Sequence, residues 1–167
     1  MFYSPVKNKK APVTSAALLA VFTVLNAASP AFKGYSGVVA AASLVFLAAS
    51  LYILIRFCVG KYSYEITHDT FAITKTTGQK SVTVANMLLS TAYGVTKTPS
   101  SPAERAEFGD KFGAIHAKMS CYHNLFAKPH LYVTEFNGKT YAFEIEIDDE
   151  FAAALDGAIR SARKDFF

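Results

Sequence analysis

Charge is the first thing this sequence withholds. No Asp, Glu, Lys or Arg occurs in Ala11–Phe32 or in Gly34–Ile55, and Lys33 stands alone between them. A helix rises about 1.5 Å per residue, so about 20 residues cross a hydrocarbon core of about 30 Å. Both runs are long enough to span, and Pro30–Tyr35 leaves room only for a tight helical hairpin. Cysteine is scarce as well: Cys58 borders the second run and Cys121 lies far beyond it. That excludes a disulfide framework and fits a reducing compartment. Also missing is a basic surplus on the polar part of the chain. The net charge is +4, yet Arg56–Phe167 holds 13 Lys/Arg against 13 Asp/Glu. A nucleic-acid interface needs Lys and Arg gathered on the folded domain, so that class is excluded.

The surplus comes from Lys7, Lys9, Lys10 and Lys33, all flanking the apolar runs. Positive charge beside a span marks the cytoplasmic side. Three lysines precede the first run, Arg56 and Lys61 follow the second, and only Lys33 lies between. This pattern predicts two spans with both termini cytoplasmic: an N-terminal segment 1–10, a hairpin 11–58 and a domain 61–167. A competing reading stays open. Lysines 7–10, an apolar stretch and the small residues of Asn26–Ala31 also resemble a cleavable signal peptide. Cleavage would leave one span and put the domain outside. Within the hairpin, Asn26 is expected to face the second helix, with Ser43 or Ser50 as its acceptor. Ala16, Ala17 and Ala20 in one helix, and Gly37, Ala40 and Ala41 in the other, are expected to permit close approach.

After Gly60 the periodicity changes from helical to alternating. Tyr62–Thr67, Phe71–Ile73 and Val82–Val84 read as short strands, with turns at His68-Asp69 and Thr77–Gln79. Met87–Leu89 leads to a fourth strand at Ala92–Lys97. Residues 98–113 break the pattern as an insertion carrying a short helix. Ser101 and Glu104 form a capping box, and Pro102 suits the first helical position. Strands resume at Ala114–Tyr122, Leu131–Phe136 and Tyr141–Ile147, the last two joined by Asn137-Gly138, a type I′ hairpin signal. Asp148 can cap a final helix with Phe151, Leu155, Ala158, Ile159 and Ala162 as its apolar stripe. The expected class is α+β: a transmembrane hairpin, then a bent antiparallel sheet or barrel of about seven strands closed by a C-terminal helix.

Tyr62–Thr67, the small helix before Ala114–Tyr122, Asn124–Pro129, and Ile145–Phe151 leading into the last helix together resemble one family. These are bacterial pleckstrin-homology-like domain proteins with an N-terminal two-helix membrane hairpin, and the resemblance covers essentially the whole chain. It implies a barrel-like sheet with a closing helix, held at the inner membrane. Its motifs are structural, so it implies no catalytic residue and no cofactor.

Catalytic patterns are few. Cys121 and His123 would point to one side of a strand, as a zinc-type pair or a thiol and its base. The spacing matches no metal-binding unit, and residues 75–80 form a turn, not a phosphate loop. Glu144 and Glu146 fall on the solvated face by alternation. Three functions remain. The first is a non-catalytic binding or scaffolding module for a protein or peptide partner, with Arg105, Glu107 and Lys111 of the insertion as candidate contacts. The second is an anionic-lipid sensor using Arg56, Lys61, Lys75 and Lys80, since 56–97 carries five basic and two acidic residues. The third is a metal or thiol enzyme at Cys121/His123.

Overall fold

The computed structural model describes residues 1–164, which fall into two units. One comprises Lys7–Gly60 with the loop His123–Phe126; the other comprises Met1–Val6, Lys61–Tyr122 and the chain from Ala127 onward. In the first unit, α1 (Lys10–Ala28) ends in a 3-10 turn at Ser29–Ala31, and Gly34 turns the chain at φ +85°. The partner helix α2 (Ser36–Ile53) ends in a π-helical turn, Leu54–Cys58. Extended by these turns, the helices run Lys10–Ala31 and Ser36–Cys58, each long and apolar enough to cross a membrane.

Three serines of the hairpin, Ser15, Ser43 and Ser50, are buried, while most of its apolar residues are exposed. Only 11% of each apolar window is buried within the chain. The helices pack together, and their buried and half-buried positions include Ala11, Ser15, Leu18, Phe22 and Leu25 in α1 and Val39, Ser43, Phe46, Ser50 and Ile53 in α2. Their alternating spacing of four and three residues is that of a left-handed helix pair. Ser15 and Ser50 clasp across the seam: each hydroxyl donates to the other's carbonyl, at 3.2 and 3.0 Å, with the hydroxyl oxygens 2.7 Å apart. The seam therefore differs from the expected one. Asn26 is exposed, Ser50 is taken by Ser15, and Ser43 Oγ donates to Ala40 O in its own helix at 2.7 Å. Ala16, Ala17, Ala20, Gly37 and Ala41 are exposed, and only Ala40 approaches the seam. The two serine hydroxyls bond reciprocally at one level of the helices, which Asn26, three turns further on, does not reach. At the foot of this unit Asn124 Oδ1 accepts from Asn8 N at 2.6 Å, and Asn8 Nδ2 donates to Leu125 O at 3.2 Å.

In the second unit eight strands form two four-stranded sheets. The first sheet runs β1 (Phe2–Tyr3), β2 (Gly60–Ile66), β3 (Thr70–Thr77) and β4 (Lys80–Leu88) in sequence order. The second takes β5 (Ala92–Lys97), β7 (His130–Phe136), β8 (Lys139–Ile145) and β6 (Ile115–Cys121), in that order. Helix α3 (Pro102–Phe112) precedes β6, and α4 (Asp149–Lys164) ends the described chain. Strand β6 pairs parallel with β8, and the two sheets are not closed into a barrel, which corrects the expected bent antiparallel sheet or barrel of about seven strands. β1 went unread because two residues are too short to show a period. It pairs antiparallel with β2, Phe2 opposite Glu65 and Tyr3 opposite Tyr64, while Met1 and Ile66 exchange both backbone hydrogen bonds at 2.6 and 2.7 Å.

The main core lies between the sheets and α4. Tyr64, Phe71, Tyr132, Ile145, Phe151 and Leu155 are fully buried there. Tyr64 links the layers: its hydroxyl donates to Cys121 O at 2.6 Å and accepts from Glu146 N at 3.0 Å. A second, smaller cluster explains why β7 is buried on both faces. Leu131, Val133 and Ala142 lie beneath Phe108, Phe112 and Ile115, so the predicted insertion is the cover of the second sheet's outer face. Two sequence readings change here. Glu144 is only 12% exposed, because β6 lies beside it and Lys118 Nζ reaches its carboxylate at 2.7 Å. A bulge at Ile73/Thr74 gives way to a two-stranded ribbon that leaves Val82 and Val84 exposed.

Replacing Tyr64 by Phe removes its hydroxyl's hydrogen bonds with the Cys121 carbonyl and the Glu146 amide. The expected loss is about 1–3 kcal/mol of stability, read as a lowered urea midpoint of the full chain; an unchanged midpoint contradicts the clasp.

Candidate functional site

A cleft of about 810 Å³ opens in the β unit. Three stretches remote in sequence make its walls: Thr96–Ser100 running off β5, one face of α3, and Lys128–His130 leading into β7, with Asp149 at the start of α4. Local chemistry fixes each wall. Ser101 accepts from Glu104 N at 3.2 Å, and the Glu104 carboxylate accepts from Ser100 N at 2.6 Å and Ser101 N at 3.2 Å, so the predicted capping box is complete. These bonds, Ser100 N first, hold the Glu104 carboxyl below its ordinary range. Thr98 ties the first wall to the third, its backbone amide and its hydroxyl both donating to Pro129 O, at 3.3 and 2.7 Å.

Helical spacing selects which α3 side chains enter. Glu104, Glu107, Phe108, Lys111 and Phe112 line the cleft at intervals of three and four. Of the partner candidates read from the sequence, Glu107 and Lys111 are therefore brought together here. Arg105 is exposed on another face of the same helix and does not line the cleft. Pro99, Phe108, Phe112 and Pro129 supply apolar wall. Asp149 lies 3.6 Å from Lys97 Nζ and 3.8 Å from His130 Nε2. Among the described residues Lys111 and Lys128 form no ion pair, and Lys111 lies over the Phe112 ring at 5.1 Å. Lys97, Lys128, His130 and Asp149 were not legible as site residues, since no local motif joins them.

The lipid candidates separate. Lys61 opens β2, Lys75 Nζ sits 5.8 Å above the Tyr62 ring, and Lys80 follows the β3–β4 turn, so these three share one end of the first sheet. Arg56 belongs to the hairpin unit, over the Phe57 ring at 5.2 Å. Cys121 and His123 are not a strand pair: β6 stops at Cys121, and His123 belongs to the loop of the other unit. The same-face alternation expected of them ends with the strand, and no group of three or more metal-ligating side chains forms among the described residues.

His130 is 9% exposed, and burial lowers its pKa below 6.5, outweighing the raising effect of Asp149. On acidification the unfolded chain takes up this proton first, so stability present above pH 6.5 is lost as pH falls. The unfolding midpoint is expected to drop between about pH 7 and pH 5, with His130→Gln flattening that slope; an equal slope in the variant contradicts the assignment. No family model, curated protein or solved structure matches this chain, so what it does has to follow from its own geometry.

Proposed function

We propose that α1 and α2 cross the cell's inner membrane and that the β unit is a pleckstrin-homology-like, non-catalytic module holding a protein or peptide partner at the cytoplasmic face. Support for the spans is physical. Serines are buried in the hairpin seam while most of its apolar surface stays outside, an arrangement that suits lipid as solvent. β1 precedes the hairpin and β2 follows it, yet they share one sheet, which supports a reading with both flanks on the same side of the membrane. Cleavage near Ser29 would remove β1, which weighs against the signal-peptide reading. The lysines before α1, with Arg56 and Lys61 after α2, favour the cytoplasmic side.

The observation that carries the partner reading is the cleft. Apolar walls with a few convergent polar groups and a volume within about 300–1,000 Å³ are the usual form of a ligand site. Strand β5, at the edge of the second sheet, leads into it through Thr98–Ser100, and a sheet edge suits an extended segment laid alongside. A second reading, contact with anionic lipid, has one specific support: Lys61, Lys75 and Lys80 at one end of the first sheet, beside exposed Val82.

A photocrosslinking side chain placed in full-length protein in native membranes separates the two. At Glu107 it is expected to capture a discrete protein, with capture lost in Phe108→Asp. Lipid adducts from position 82, with no protein from 107, would transfer the function to the lysine-bearing end.

A further inference from the structure

The charges lining the cleft are unequally committed. Glu104 is occupied by the amides of Ser100 and Ser101, and Asp149 is flanked by Lys97 and His130. Glu107 is the remaining acid. Against it stand Lys111 and Lys128, on two different walls and with no carboxylate among the described residues to pair with. The cleft thus offers an occupant two unpaired cations over aromatic and prolyl surface, against Glu107 and the amide-bound carboxylate of Glu104. Neutral His130 adds no charge of its own.

Resting on the partner reading above, we propose that the occupant is an extended segment of a partner protein that alternates acidic and large apolar side chains. Its apolar side chains lie against Phe108, Phe112 and Pro129. Its carboxylates reach Lys111 and Lys128, one from each wall. An extended chain suits this spacing because alternate side chains point to opposite sides, so one set can face the aromatic wall while the other faces the lysines. The inference concerns carboxylates on a peptide rather than a phosphate or a lipid headgroup. Lysine can bind a phosphate as a point charge, but planar bidentate recognition of one favours arginine. Arg105, the α3 arginine, is turned away from the cleft.

Full-length protein in zwitterionic nanodiscs provides the test. The probes are two fluorescent nine-residue peptides, one alternating phenylalanine with glutamate and the other phenylalanine with lysine. The glutamate peptide is expected to bind at least about tenfold more tightly, equivalent to about 1.4 kcal/mol. Lys111→Glu combined with Lys128→Glu should reverse the preference toward the lysine peptide. Both positions are exposed, and an unchanged unfolding midpoint checks that the variant folds. Lys139→Glu, outside the cleft, should leave the preference intact. Equal affinity for the two peptides, or a preference indifferent to the double reversal, overturns the inference. The same reversal produced by Lys75→Glu with Lys80→Glu would also overturn it, by placing the charge effect outside the cleft. Protein capture from Glu107 without an acidic preference would sink this inference alone, whereas absence of both would sink the partner reading with it.

Discussion

Three residues at the start of the chain bond to the strand that begins beyond the second apolar helix. The pairing of β1 with β2 closes a loop of more than fifty residues, so an entropic cost must be met by what the short strand buries. Tyr3 supplies much of it. Its ring packs 5.2 Å from Phe151 and 6.4 Å from Tyr64, joining the first strand to the closing helix and to the tyrosine that links the two sheets. Strands β1 and β2 thus share one sheet although the two apolar helices separate them in sequence.

Within the β unit, α3 shows how one local decision serves two ends. Its capping box starts the helix, and its aromatic residues cover Leu131, Val133 and Ala142, which would otherwise leave the second sheet with a bare apolar face. The same helix presents Glu107 and Lys111 to the cleft because positions three and four apart share a face. Stability and the proposed recognition therefore use different atoms of one element. The folded core can be kept while the charged rim is varied, which is how a small module acquires a preference for one partner over another.

Much of this was legible in the sequence where the signal is local. The capping box at Ser101/Glu104, the positive φ of Asn137 and Gly138, the Asp148 cap and the Phe151–Leu155–Ile159 stripe all follow from residues within a few positions of each other. What escaped depends on distant partners. β1 is too short to carry a period, the parallel placement of β6 reversed the expected exposure of Glu144, and the Ser15–Ser50 clasp displaced Asn26 from the helix seam. Only two of the three partner candidates reached the cleft, since a sequence stretch does not reveal which side of a helix a sheet will leave open. Lys128 and His130 joined it through a chain reversal that no motif announces.

The most direct measurement is an engineered disulfide between Phe2→Cys and Glu65→Cys in full-length protein, in membranes, with Cys58 replaced by Ser. These positions face each other beside the Met1–Ile66 pair that exchanges hydrogen bonds, so they form the closer, non-hydrogen-bonded pair that suits a disulfide. Rapid intramolecular oxidation in uncleaved protein, absent when the partner cysteine is moved to Gln79 at the far turn, is the expected result. Failure to crosslink, or recovery of a mature chain lacking its first residues, would contradict a sheet shared across the hairpin.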